Sequence, residues 1–141
     1  MKLRKISNKY VVFHPHSYGI ATLLRAGIKI CGRQIVLHHF RPHAETEFHD
    51  HPWSFRTFVL WGAYTDESID SNDQTVIDVL RFGSTRKREA LHAHRTSCTG
   101  HVWTLVFTSK KKRKWCKGTP ENWVCNGEVK DFDATRGMVK V

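Results

Sequence analysis

A chain of 141 residues with 40% hydrophobic content is long enough to bury one core and too short for two. Aromatic residues spread along it exclude a disordered chain, and no run reaches the roughly 18 apolar residues that a membrane span needs. The formal net charge of +10 admits nucleic acid, anionic lipid or an acidic partner.

The first ten residues, MKLRKISNKY, are basic with no apolar stretch behind them, which gives no secretory signal and the expectation of a cytoplasmic protein. In that compartment Cys31, Cys98, Cys116 and Cys125, which show no C-x-x-C spacing, are expected as reduced thiols. A zinc site on Cys116 and Cys125 would need two further ligands that the pattern does not supply.

In chain order, Tyr10–Phe13 is a short strand candidate, and Pro15 between His14 and His16 suggests a turn or an edge. From Tyr18 to Ile30 the spacing of Ile20, Leu23, Leu24 and Ala26 predicts one short helix, ended by Gly27 or Gly32. Beyond Gly32 the period becomes two. Gln34–Arg41 reads as a strand, 42–46 as a turn, and Phe55–Tyr64 as a long apolar strand interrupted at Gly62. The acidic stretch Asp66–Gln74 reads as a loop. Val76–Phe82 is a further strand, Gly83–Thr85 a turn, and Arg86–Ser97 a pair of short strands. Val102–Thr108 is the clearest buried strand; Lys114–Cys116 and Trp123–Cys125 flank a turn at Gly118–Pro120, and the tail from Asn126 has little to bury. Short strands divided by turns, without repeat or linker, predict a single all-β domain over 1–141, a sandwich or barrel with its core at about 34–125.

The chemistry gathers at Glu47-Phe48-His49-Asp50-His51-Pro52-Trp53. On an extended chain, residues two apart project to one face about 6.5–7 Å apart, so His49 and His51 can converge on one cation at about 2.0–2.2 Å from each nitrogen. Asp50 falls on the opposite face. A second pair at the same spacing is His92 and His94, in phase with Thr96 and Cys98. His49, His51 and His94 are the leading metal ligands, with His92 and Glu47 as further candidates. Neutral imidazole suits iron, zinc, copper or nickel alike, so the ligand type does not choose the metal. His38 and His39 point to opposite faces, so at most one looks inward; His43 and His101 read as solvated. Lys110–Lys114 with Trp115 is a basic run best read as a solvated strand end or hairpin, and nucleic-acid binding through it is the less favoured alternative.

HDHPWSF followed by the strand to Gly62 resembles the first cupin motif: His-x-His, a spacer, a Glu position, six residues and a Gly. Here Phe55 stands where that motif has Glu. Gly83 and ALHAHR at 90–95 resemble the second motif loosely, without its Pro-x-Gly element. The segment WTLVFTSKKKRKWCKGTPENWV resembles the end of small stand-alone cupins from bacterial and phage genomes. The resemblance implies a double-stranded β-helix, or jelly roll, with a metal in the barrel mouth. It implies His49 and His51 as the first two ligands and His94 as the last, a three-His set similar to the thiol dioxygenase branch. A divalent ion (iron, zinc, nickel or manganese) and an Fe(II)-type dioxygenase acting on a small anionic molecule are the implied cofactor and activity. Arg41, Arg56, Arg88 and Arg95 are candidates for holding the anion, with Tyr64 or Cys98 near the ligands. The competing expectation is a non-catalytic barrel that binds a small ligand or a protein partner; exposed strand edges leave room for a homodimer.

Overall fold

The computed structural model describes the backbone of residues 4–6, 9–18, 21–70, 72, 74–119 and 121–130, and side chains from Leu23 onward. The described residues form strands and no helix. In order these are β1 (Arg4–Ile6), β2 (Lys9–Tyr18), β3 (Ala21–Ile30), β4 (Arg33–Phe40), β5 (Phe55–Trp61), β6 (Ala63–Ile69), β7 (Thr75–Arg81), β8 (Thr85–Arg88), β9 (His94–Ser97), β10 (Val102–Thr108), β11 (Cys116–Thr119), β12 (Asn122–Cys125) and β13 (Glu128–Lys130). A large antiparallel sheet runs β1-β2-β3-β4-β10-β5-β8, a smaller one runs β7-β6-β9, and β11-β12-β13 form a third. None of the described residues forms a helix long and apolar enough to cross a membrane.

β10 carries the strongest signal and sits at the centre of the large sheet. Val102, Thr104, Val106 and Thr108 are buried, while Trp103 and Phe107 are exposed between them. It pairs with β4 on one side and β5 on the other, so its inward residues meet inward Val36 and Phe40 of β4 and Phe55, Thr57 and Val59 of β5. Leu23, Phe40, Val59, Tyr64, Leu80 and Val102 close the main cluster between the sheets. The break between β5 and β6 falls at Gly62, where φ is +78° and a Cβ would lie 2.2 Å from the His101 carbonyl oxygen. Only glycine meets both demands.

The sequence misleads in four places. The stretch expected as a helix, Tyr18 to Ile30, is the end of β2 and all of β3; Ile20 lies outside the described residues. Leu23 and Arg25 face the interior and Ile28 and Ile30 are exposed, a period of two that adjacent Leu23 and Leu24 disguise as a helical turn. The stretch expected as a loop, Asp66 to Gln74, begins inside β6: Tyr64, Asp66 and Ser68 are its buried face. Polar residues stand at inward positions there because partners on β8 and β9 satisfy them, which composition cannot reveal. Cys116 and Cys125 are directly opposite in the β11–β12 register, with Cα atoms 4.2 Å apart, and form a disulfide instead of two thiols. Cross-strand neighbours meet through the hairpin, which a search for C-x-x-C spacing overlooks. Finally, Gly118 and Thr119 belong to β11, and the tail adds β13 against β12. Cys31 and Cys98 carry free thiols. The side chains of His14 and His16 lie outside the described residues.

Candidate metal centre

His49 and His51 lie on an extended segment between β4 and β5, not on a regular strand. Isolated bridges hold that segment in place. His49 N–H donates to the His94 carbonyl at 2.9 Å, and His94 N–H donates back to the His49 carbonyl at 2.8 Å. The two motifs are thus paired through the backbones of the very residues whose imidazoles meet. His51 N–H donates to the Ala90 carbonyl at 3.2 Å, and Gly118 N–H to that of Phe48 at 2.8 Å.

One ring nitrogen from each of His49, His51 and His94 lies within 4.8 Å of the others. His49 Nδ1 is 2.7 Å from the Glu47 carbonyl oxygen, which can only accept, so this nitrogen is the donor. His94 Nδ1 is likewise 2.8 Å from Asp66 Oδ1 and donates to that carboxylate. Both bonds make Nε2 the nitrogen that carries the lone pair in each ring. His51 Nε2 lies 3.0 Å from His94 Nε2. Two nitrogens bound at about 2.0–2.1 Å to one ion at ordinary coordination angles stand about 2.9–3.4 Å apart, so this pair is already at a chelating separation. The residues present fit a metal.

Electrostatics keep His49 and His51 neutral. Burial, followed by the neighbouring His94, pushes His49 down to about 3. Burial and then the His49 and His94 rings lower His51 well below the ordinary imidazole value. Burial alone would raise the Asp66 carboxyl, but His94 and Arg88 outweigh it and hold Asp66 well below the usual range. Arg88 Nη2 is 2.9 Å from Asp66 Oδ2 and 3.4 Å from Asp78 Oδ2. A chain of contacts therefore runs from β8 through Asp66 on β6 to the His94 ring.

The remaining expected residues are distributed as follows. Phe55 occupies the position where the motif has Glu, its ring 4.4 Å from that of His51 and 5.9 Å from that of His94. Glu47 turns outward and pairs with Lys117 at 3.1 Å, contributing only its carbonyl. The His92 ring is 5.8 Å from that of His94, but His92 is not among the converging nitrogens. Tyr64 lines the cavity at the cluster, and burial keeps its hydroxyl protonated. Arg56 is exposed on the outer face of β5, and Arg41 is exposed beyond β4. Arg95 Nε and Nη2 bind the Glu67 carboxylate at 2.8 and 3.0 Å on the surface. Cys98 Sγ donates to the Arg41 carbonyl at 3.4 Å, away from the cluster. His38 lines the cavity while His39 stacks on Trp103 outside, 4.2 Å between ring centres. Left-handed His43 (φ 62°) is in the turn after β4, and His101 Nδ1 lies 3.0 Å from His39 Nε2 on the surface.

Sequence reasoning missed Asp66, read as loop, and Arg25, read as helix; both line or support the site because their strands alternate. It also missed why the basic run is there. The segment 109–115 crosses back over the histidine segment as a strap. Lys112 N–H donates to the Pro52 carbonyl at 2.6 Å, Ser109 N–H to that of Ser54 at 2.8 Å, and Cys116 N–H to Asp50 Oδ1 at 2.9 Å. Arg113 turns inward onto the fully buried Asp50 carboxylate, while Lys110, Lys111, Lys112 and Lys114 stay exposed. The opposite parity of Asp50, between two inward histidines, was the available signal. Trp115, at the end of the strap, lies 6.1 Å from the His49 ring and 5.9 Å from the His51 ring.

No family model matches this chain, and no curated protein matches it. Solved structures match its fold. An RmlC-like cupin from Shewanella frigidimarina superposes with a TM-score of 0.59 at 19% identity, over 73% of this chain and 86% of that one. Oxalate oxidase matches with a TM-score of 0.55 at 17% identity over 67% of this chain. A Bacillus subtilis oxalate decarboxylase, studied for its Mn(II) centers, matches with 0.58 at 14% identity over 78%. This chain spans about half the length of the oxidase and a third of the decarboxylase, 49% and 31%. The chain therefore has the all-β cupin jelly-roll fold. More particularly, it is a small single-barrel version with a three-histidine cluster of metal-binding geometry inside it.

Proposed function

We propose that the protein is a mononuclear metalloenzyme of Fe(II)-dioxygenase type, which binds a divalent ion through His49, His51 and His94 and acts on a small anionic molecule. The observation that carries it is the convergence of three imidazoles, two with Nδ1 already committed to acceptors and a carboxylate behind one of them. A bound ion would supply Lewis acidity and a point at which substrate and oxygen are brought together. The chain's own part is to hold the His49 and His51 rings neutral, to exclude water with Phe55, Trp53 and Trp115, and to keep Asp66 charged behind His94. With Phe55 in the Glu position, the donor set is uncharged, so an anionic substrate meets the full charge of the ion.

The test begins with elemental analysis of untagged protein beside a His49→Ala/His94→Ala double variant. Near-stoichiometric metal in the wild type, lost in the variant, supports the site; no metal in either, after reconstitution with Fe(II), Mn(II) or Zn(II), overturns it. Oxygen uptake by the Fe(II)-loaded protein across a panel of small acids then tests the reaction. A loaded protein that binds acids but consumes no oxygen would be a binding barrel instead.

A further inference from the structure

The disulfide stands where it can act on the histidines. Cys116 and Cys125 face each other across β11 and β12, in a buried cluster with Ala93 and Trp123 against which Phe48 packs. Phe48 precedes His49 and Ala93 precedes His94, so the cluster is one residue away from two of the three rings. Cys116 is also bonded to the residue between His49 and His51. Its N–H donates to Asp50 Oδ1 at 2.9 Å, and the Asp50 N–H donates back to the Cys116 carbonyl at 3.1 Å. On its other side Cys116 follows Trp115, which lines the barrel cavity. Cys125 leads into the turn at Asn126–Gly127, which lines an outer cavity of about 300 Å³ together with Trp115 and His49. The bond therefore joins the wall of that outer cavity to the segment that presents the ligands.

The two sulfurs are not equivalent. Arg113 Nη2 donates to Cys116 Sγ at 3.5 Å, and a guanidinium beside a sulfur favours it as the leaving thiolate. Cys116 is 1% exposed and Cys125 8%, and beyond Cys125 the hairpin runs into β13, whose three residues are all exposed. A strand with so little buried opens locally before the core does, which bares Cys125 and not Cys116. We propose that Cys116–Cys125 is a redox-modified site, opened by a dithiol reductant, and that its state sets how firmly the chain holds the histidine segment. A reductant thiolate attacks Cys125 Sγ, the S–S bond breaks, and Cys116 leaves as a thiolate that takes up a proton. The second thiol of the reductant then displaces Cys125, so that the reductant ends as a disulfide and its two electrons and two protons pass to the cysteines. With the cross-link gone, the β12–β13 hairpin no longer braces Cys116 against Asp50, and Trp115 loses its anchor. The proposal rests on the three-histidine reading only for its metal readout.

The experiment compares the full chain before and after anaerobic reduction with dithiothreitol, removed by desalting, beside Cys125→Ser. Free thiols counted in denaturant should rise from two to four. Hydrogen exchange on metal-free protein is the first readout. The Asp50 and Cys116 amides should exchange about tenfold faster or more in the reduced chain and in Cys125→Ser, with the β10 amides unchanged. Mn(II), which suits thiolates poorly, is the metal probe; its dissociation constant should rise by about 10–100-fold on reduction and return on reoxidation. Unchanged exchange at Asp50, Mn(II) bound equally tightly in both states, or a bond that dithiothreitol opens only in denaturant would each overturn the proposal. So would loss of protection throughout β10 on reduction, which would make the bond a plain structural staple. Faster exchange at Asp50 in a chain that binds no Mn(II) in either state would uphold the redox site and sink the metalloenzyme reading alone. Should Cys125→Ser fail to fold, the reduced wild type decides, because reoxidation must restore slow exchange in the same sample.

Discussion

Phe55 and Asp66 divide the work that one carboxylate does in the motif this chain resembles. At the Glu position stands a buried ring in contact with His51, and the negative charge is withdrawn one layer to Asp66, behind His94. Substituting Phe55→Glu should therefore have opposite effects with and without metal. Without an ion, a carboxylate placed among buried apolar groups and imidazoles loses its hydration, so the chelated variant should melt below the chelated wild type. With an ion it becomes a fourth donor, so Mn(II) should bind more tightly than to wild type in a competition titration. Asp66→Asn keeps the shape but removes the charge that favours donation from His94 Nδ1; metal affinity should fall by about 10–100-fold. An unchanged dissociation constant would remove Asp66 from the site. At this scale the sequence was informative about the ligands, whose His-x-His spacing is local. It was uninformative about Asp66 and Arg25, whose roles depend on partners 28 residues away in one case and on a misread strand in the other.

The strap between β10 and β11 explains a feature that looks electrostatic in sequence and is structural in the fold. Arg113 neutralises Asp50, which lies between His49 and His51 and is fully buried. Removing one partner of a buried pair leaves the other charge uncompensated, so Arg113→Ala should destabilise the fold by about 3–5 kcal/mol in chemical denaturation. Lys111→Ala, on an exposed neighbour in the same run, should change it by less than about 0.5 kcal/mol. Similar effects for the two would mean that the run acts only through net charge. Elements with one buried and one exposed face, such as β10, were legible because the alternation is complete. β3 was not, since apolar residues stand on both of its faces, and neither was the start of β6, where the buried face is polar. In both, tertiary partners overrode the local pattern.

For the molecule as a whole, the histidine cluster couples stability to pH and to metal in the same direction. The His49 imidazole is held at about 3 against an ordinary 6.5, so the unfolded chain takes up a proton over that window and the folded chain does not. A depressed value means that its contribution is complete above about pH 6.5 and is lost as the pH falls toward 3. At pH 5 His49 alone removes about 2 kcal/mol relative to pH 7.5, and His51 acts with the same sign. The depressed Asp66 adds further loss below the ordinary carboxylate range. The chelated protein should accordingly lose stability steadily from pH 7 to 5, and a flat profile would mean that the cluster is open to water. Metal acts on the same nitrogens: an ion that binds only the folded state, at a free concentration of 100 times its dissociation constant, adds about 2.7 kcal/mol. For a domain of this size that is a melting temperature about 10 °C higher, removed by chelator at pH 7.5. His51→Ala should melt at the same temperature with and without chelator. If the wild type also shows no chelator effect after reconstitution, the three imidazoles are a packed polar cluster and nothing more.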